Sequence, residues 1–247
     1  MKVRGLRNGL VHAIAAFSFI AAASLWAQPL DSASVIQGVD ASVKARIDNV
    51  LSYSVTEHYA IFRNHDETHP VAEMTVKTVY RKNQGKSYTI LSQSGSALVR
   101  SQVLGSILDS EKRMSLPGTR ETALVNSANY EMKLNPERRQ LLDGRDSLAI
   151  TLIPKRDSQY LFKGTLWVDA RDYSIVQLQG IAAKSHFFLT GPSEVSRQYA
   201  NVSGYPMATH AKAVTNSSLL GQTVVKIDYL DYQIELRPAK QAVNPVK

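Results

Sequence analysis

The residues best equipped for chemistry in this chain are the histidines of His65-Asp66-Glu67-Thr68-His69, two imidazoles four positions apart. On a helix that spacing brings both rings to one side, where they can hold zinc if a glutamate directly after the first histidine serves as base. Here aspartate follows His65, Pro70 follows His69, and strand-like sequence flanks the segment, so it reads as a solvated hairpin loop. His58, on the preceding strand, is the residue that would complete a three-histidine set. A metal-dependent hydrolase using His58, His65 and His69 therefore stays as an alternative. No Gly-x-Ser-x-Gly elbow occurs, and the absence of cysteine removes thiol catalysis. Gln93-Ser94-Gly95-Ser96 could offer backbone amides to an anion, but it reads first as a strand-to-helix turn capped by Ser96. Glu137-Arg138-Arg139 reads as a solvated face, and the carboxylates elsewhere are scattered. The sequence points to a binding protein rather than an enzyme, with no metal and no cofactor.

The first residues have the three parts of an export signal. Lys2, Arg4 and Arg7 make a basic start, an apolar run extends from Leu10 to Ala23, and small residues precede Gln28-Pro29-Leu30-Asp31. That run is roughly 14 residues, short of the ~20 a spanning helix needs, so residues 1–27 read as a cleaved signal peptide. Cleavage is expected after Ala27, with Ala23 and Ser24 as alternatives. The expected location is the periplasm. Without cysteine, neither a lipid-modified N-terminus nor a disulfide can form, so the fold rests on its own core. Of the formal charge of +8, the leader carries three units, and the rest is spread along the chain. This mild excess suits solubility, or a peripheral attraction to anionic lipid; with no dense basic run, no nucleic-acid partner is expected.

The elements that must position any site begin with a helix over Ser34–Leu51, with Ser34 as N-cap and Gln37 three residues on. Val35, Ile36, Val39, Val43, Ile47, Val50 and Leu51 form its apolar stripe, and Lys44, Arg46 and Asp48 its wet side. Gly38 weakens it by about 1 kcal/mol relative to alanine, so packing must supply its stability. The period then changes to two. A three-strand meander covers Leu51 to Phe62, Glu73 to Arg81 and Ser87 to Ser92, with Met74, Val76 and Tyr80 sharing one face. A second helix spans Ser96 to about Met114, with Val99, Val103, Leu104, Ile107 and Leu108 inward and Arg100, Asp109, Glu111 and Lys112 outward. Leu116-Pro117-Gly118 ends it. Strands follow near 128–134, 147–154, 160–169, 173–182, 194–202, 207–216 and 223–236, separated by turns such as Asp143-Gly144, Gly191-Pro192 and Gly204-Tyr205-Pro206. No linker or repeat divides the chain. Residues 28–237 read as one mainly β domain of the α+β class, and 238–247 as a loose tail.

Two strands carry apolar residues on both faces. In Thr223 to Leu236, Val225, Ile227 and Tyr229 oppose Leu230, Tyr232, Ile234 and Leu236. In Tyr160 to Asp169, Phe162, Leu166 and Val168 oppose Leu161 and Trp167. Such strands are covered on both faces. Either a curved sheet whose concave side holds helices or ligand, or a two-layer sandwich with a helix outside, satisfies this. Phe187 to Leu189, before Gly191-Pro192, reads as a strand end or an apolar flap.

Leu152-Ile153-Pro154-Lys155, then Tyr160 through Asp169, then Asp172 through Gly180, and finally Ile227 through Tyr232 resemble the exported lipid- and lipoprotein-carrier superfamily that includes LolA and LolB. The likeness spans most of the mature chain in the order of its elements. It implies a single curved antiparallel sheet, an unclosed β-barrel with helices covering the concave face, whose apolar cavity holds acyl chains. The expected function is a periplasmic carrier or sensor of an acylated ligand, lipid or lipoprotein. The cavity lining expected from it is Met74, Val76, Tyr80, Leu104, Leu108, Leu166, Val168, Val176 and Phe188. An envelope protein is a second expected partner, and the chain is expected to be a monomer. The alternative is an interaction domain of the same fold with a filled core.

Overall fold

The computed structural model describes residues 31–183, 193–217 and 221–238. The signal segment, the Phe187–Leu189 run with Phe188, Gly191-Pro192 and nearly all of the C-terminal tail lie outside them.

Helix α1 spans Ser32–Asn49. Asp31 caps it, accepting the backbone N–H of Ala33 at 3.2 Å and of Ser34 at 3.0 Å. Ser34, expected as the cap, instead donates its hydroxyl to the Asp31 carboxylate at 2.6 Å. An ionised carboxylate with two acceptor oxygens serves the free amides of a first turn better than one hydroxyl. Strand β1 (Val50–Arg63) follows directly, then β2 (Ala72–Arg81) and β3 (Gly85–Gly95). The second helix is one rod in three pieces: α2 (Ala97–Val99), a π-helical turn (Arg100–Leu104) and α3 (Gly105–Ser115). Ser96 caps it as expected, accepting the Val99 amide at 3.4 Å. A short α4 (Thr119–Ala123) leads to β4 (Tyr130–Leu142), β5 (Arg145–Pro154), β6 (Phe162–Asp169), β7 (Ile175–Ala182), β8 (Ser193–Val202), β9 (Tyr205–Ser217) and β10 (Gly221–Leu236). Positive φ at both Asp143 and Gly144, and at both Ser203 and Gly204, sets the two-residue hairpin turns β4–β5 and β8–β9. The second turn thus lies one residue earlier than the glycine-proline pattern suggests, and Tyr205 and Pro206 belong to β9.

The described strands form one antiparallel ten-stranded sheet in the order β3-β2-β1-β10-β9-β8-β7-β6-β5-β4. β3 and β4 are its edges, so it is not closed. The protein is mainly β. Pairing register shows which residues share a face. One row runs Met74, Tyr59, Ile227, Ala211, Arg197, Leu178, Leu166, Ile150 across seven strand pairs. Directly opposed residues point the same way, so this whole row lies on one face. Both helices pack there. Val35, Val39 and Val43 of α1 join Leu148, Ile150, Leu152, Leu166 and Val168 in one buried cluster. Val99, Val103, Leu104 and Leu108 join Val55, Tyr59, Met74, Val76 and Ile227 in another. Each such valine or leucine contributes roughly 1.5–3 kcal/mol by leaving water.

The two-faced pattern of β10 has a different cause from the one expected. Asp231 has a positive φ of 56°, and the pairing with β1 slips between Ser54/Gln233 and Thr56/Leu230. This bulge reverses the alternation. Leu230 is half exposed, while Tyr232, Ile234 and Leu236 return to the face of Val225, Ile227 and Tyr229 and pack on the same cluster. β6 does carry apolar residues on both faces: Trp167 lies opposite Leu166 and Val168, buried with Ala149 and Val176 under Arg138, whose guanidinium is 5.4 Å from the indole centroid.

Gly38 is explained by packing. A Cβ there would intrude on the ring of Tyr173, which sits at a φ of 56° after β6. Gly38→Ala should therefore lower stability by about 1–3 kcal/mol through overpacking, despite the ~1 kcal/mol gain in helix propensity. A chemical denaturation midpoint no lower than the parent's would refute this account.

Candidate functional site

Two adjoining cavities open on the helix-bearing face. The larger, about 210 Å³, lies among α1, β1, β2 and the central strands; the smaller, about 130 Å³, lies between α3 and β8–β10. They meet at Met114, Tyr160, Phe162 and Arg197, which line both. Aromatic rings build the wall of the first. Tyr53 stacks on Tyr80 with centroids 4.9 Å apart, and Tyr232 tilts against Tyr53 at 5.8 Å. The smaller cavity is mostly aliphatic, with Ile107, Val195, Ala211, Val225 and Ile227 in its wall.

A buried charge cluster stands at the junction. Glu111 of α3 is 6% exposed, where its helical position suggested the wet side. Its carboxylate accepts from Lys86 of β3, and its other oxygen lies 3.3 Å from the Arg197 guanidinium of β8. Two cations explain why a glutamate is stable under the helix. Glu57 is fully buried, accepts the Tyr59 hydroxyl at 2.5 Å, and stands 3.7 Å from Lys86. Burial, with Glu111 as a second negative charge, pushes the Glu57 carboxyl above its usual range. Burial acts on Glu111 in the same sense, but Lys86 and Arg197 outweigh it and hold that carboxyl below the usual range. Burial alone would lower the Lys86 ammonium, yet Glu111 and Glu57 raise it well above its ordinary value.

Of the residues expected to line a cavity, Tyr80 does so. Met74, Val76, Leu104 and Leu108 lie in the core cluster beneath the second helix, and Leu166 and Val168 in the cluster beneath α1. Val176 is on the opposite face beside Trp167. Phe188 is outside the described residues. Arg46 and Glu111, which helix periodicity assigns to the wet side, and Glu57, Lys86 and Arg197, which no motif marks, all line the cavities. One signal was available: Glu57 and Arg197 occupy strand positions in phase with Val55 and Tyr59, and with Val195 and Tyr199, where a charge is out of place.

The histidines do not converge. His58 contacts Thr75 and Glu73 on the outer face, His69 contacts Asp66 within its own turn, and no group of three metal-donor side chains occurs among the described residues. No described helix is long and apolar enough to cross a membrane.

No family model and no curated protein matches the chain. Among solved structures it is similar to a LolA superfamily protein from Nitrosomonas europaea, at 14% identity over 83% of this chain and 94% of that one, TM-score 0.44. A structure from Vibrio parahaemolyticus named for an outer membrane lipoprotein-sorting domain gives 12%, 84%, 93% and 0.45. A DUF1329 family protein from Desulfovibrio piger gives 11%, 81%, 93% and 0.41.

Above about pH 4.5 the stability contributed by ionised Glu111 is complete, and it is lost as pH falls through the group's lowered value. Glu111→Gln should cost about 3–5 kcal/mol at pH 7, because Lys86 and Arg197 lose their shared partner. The difference from the parent should shrink below about pH 4. Urea melts at pH 7 and pH 3.5 measure it, and an equal loss at both would sink the assignment.

Proposed function

We propose that this protein is a periplasmic carrier or sensor that binds an acylated ligand in the cavities beneath its helices. The observation that carries the reading is the pair of adjoining cavities between a helical layer and an unclosed sheet, one mostly aliphatic and one with aromatic, aliphatic and charged residues in its wall. We also infer that the helix-bearing face is the concave one. Lys86 on β3 and Arg197 on β8 are five strand spacings apart, ~24 Å on a flat sheet, yet both reach the Glu111 carboxylate. A sheet rolled around α3 accounts for this. The π-helical turn ahead of α3 is a natural place for the helix to yield, since such turns recur at functional sites. Movement of α3 would merge the cavities, and burial of an acyl chain at roughly 25 cal/mol per Å² would drive binding.

A second reading is an envelope interaction domain with a filled core. It is favoured by cavity size: about 210 and 130 Å³ are each below the ~300 Å³ at which small-molecule sites usually begin.

Mass spectrometry of a solvent extract of the exported protein should show an acyl species, and a fluorescent fatty-acyl probe should bind the delipidated chain. Ala211→Phe, which fills the aliphatic cavity, should weaken probe binding roughly tenfold with the far-UV spectrum unchanged. An empty extract together with no probe binding would put the filled-core domain in front.

A further inference from the structure

We infer that the larger cavity holds an anion subsite at Arg46, so that its ligand is an anionic amphiphile whose head-group oxyanion pairs with that guanidinium. The inference rests on the cavity being a ligand site, as proposed above, and adds the chemical class of the ligand.

Four cations line this cavity: Arg46, Lys86, Arg120 and Arg197, against one carboxylate, Glu57. Three of the four are already engaged. Lys86 and Arg197 share Glu111, and Arg120 donates to Glu121, to the Tyr80 hydroxyl at 2.6 Å and to the Lys82 carbonyl at 2.8 Å. Among the described residues Arg46 has neither an ion pair nor a side-chain hydrogen bond, and its Nε is buried without a partner. A buried guanidinium nitrogen left unpaired is costly, and of the two arginines whose Nε is so placed among the described residues, Arg46 and Arg63, Arg46 is the one that lines the cavity.

The position of Arg46 is fixed by α1. Val43, Ile47 and Val50 around it also line the cavity, as do the rings of Tyr53 and Tyr232. Arg46 thus offers a planar fork of donors beside phenol rings, an arrangement that suits a carboxylate or a phosphate in bidentate contact. The same cavity also has Ile175, Leu178 and Met207 in its wall, and it meets the aliphatic cavity under α3. A head group at Arg46 therefore leaves apolar wall for a tail.

The test is calorimetric titration of the delipidated mature chain with decanoate, decyl phosphate and 1-decanol, which share one tail. At least one anion should bind roughly tenfold more tightly than the alcohol, as a charge-assisted pair implies. Whichever anion binds better identifies the head group as carboxylate or phosphate. Arg46→Gln should abolish that preference while leaving 1-decanol binding unchanged, and Arg46→Lys should retain part of it. Equal affinity for all three ligands in the parent protein would overturn the subsite and leave the acyl carrier standing. Equal weakening of all three by Arg46→Gln would do the same. Failure of all three to bind would overturn both.

Discussion

The carboxylate of Glu111 is the contact on which the arrangement of this molecule turns. It ties a helix to two strands from well-separated places in the sheet, and the carboxylate itself is buried. An isolated carboxylate under a helix would be driven to take up a proton; here Lys86 and Arg197 keep it ionised. The neighbouring Glu57 has weaker support and is pushed the other way. The two buried acids differ because one has two close cations and the other has one, at greater distance. The ion cluster sets where α3 can sit, and hence where the two cavities lie.

A buried ion cluster of this kind is poor evidence for high stability, since apolar residues could fill the same space at less desolvation cost. Its consequence is one of geometry. Leu104 and Leu108 anchor the second helix through non-directional packing, whereas the Glu111 carboxylate needs one cation from each of two strands at ion-pair distance. The helix that covers the cavities is thereby held in one register. In the carrier reading, opening requires that this cluster be broken or rearranged. The wall that faces it is built of tyrosines, whose phenol ends tolerate charges that aliphatic side chains would not.

Much of the element order was legible beforehand. Period-two runs marked the strands, Asp143-Gly144 marked its hairpin, and the stripe Val35, Val39, Val43 marked the buried side of α1. The site was less legible, for a definite reason. Arg46 and Glu111 are charged residues on amphipathic helices, and charge on such a helix is assigned to solvent by default. Their partners, or the lack of them, come from strands many residues away. β10 shows the same limit. A bulge of one residue at Asp231 returns Tyr232, Ile234 and Leu236 to the face they would have left, and strict alternation across that point gives the wrong side.

The chain by itself determined a cysteine-free, mainly β domain with two amphipathic helices, because periodicity and turn residues are local properties that need no partner. Tertiary structure alone decided that both helices share one face of the sheet, that Val176 lies on the other, and that Glu57, Lys86, Glu111 and Arg197 meet. Those outcomes depend on the register of ten strands accumulated from edge to edge. A one-residue slip in any of them moves a side chain from cavity to solvent, and no local pattern records that sum.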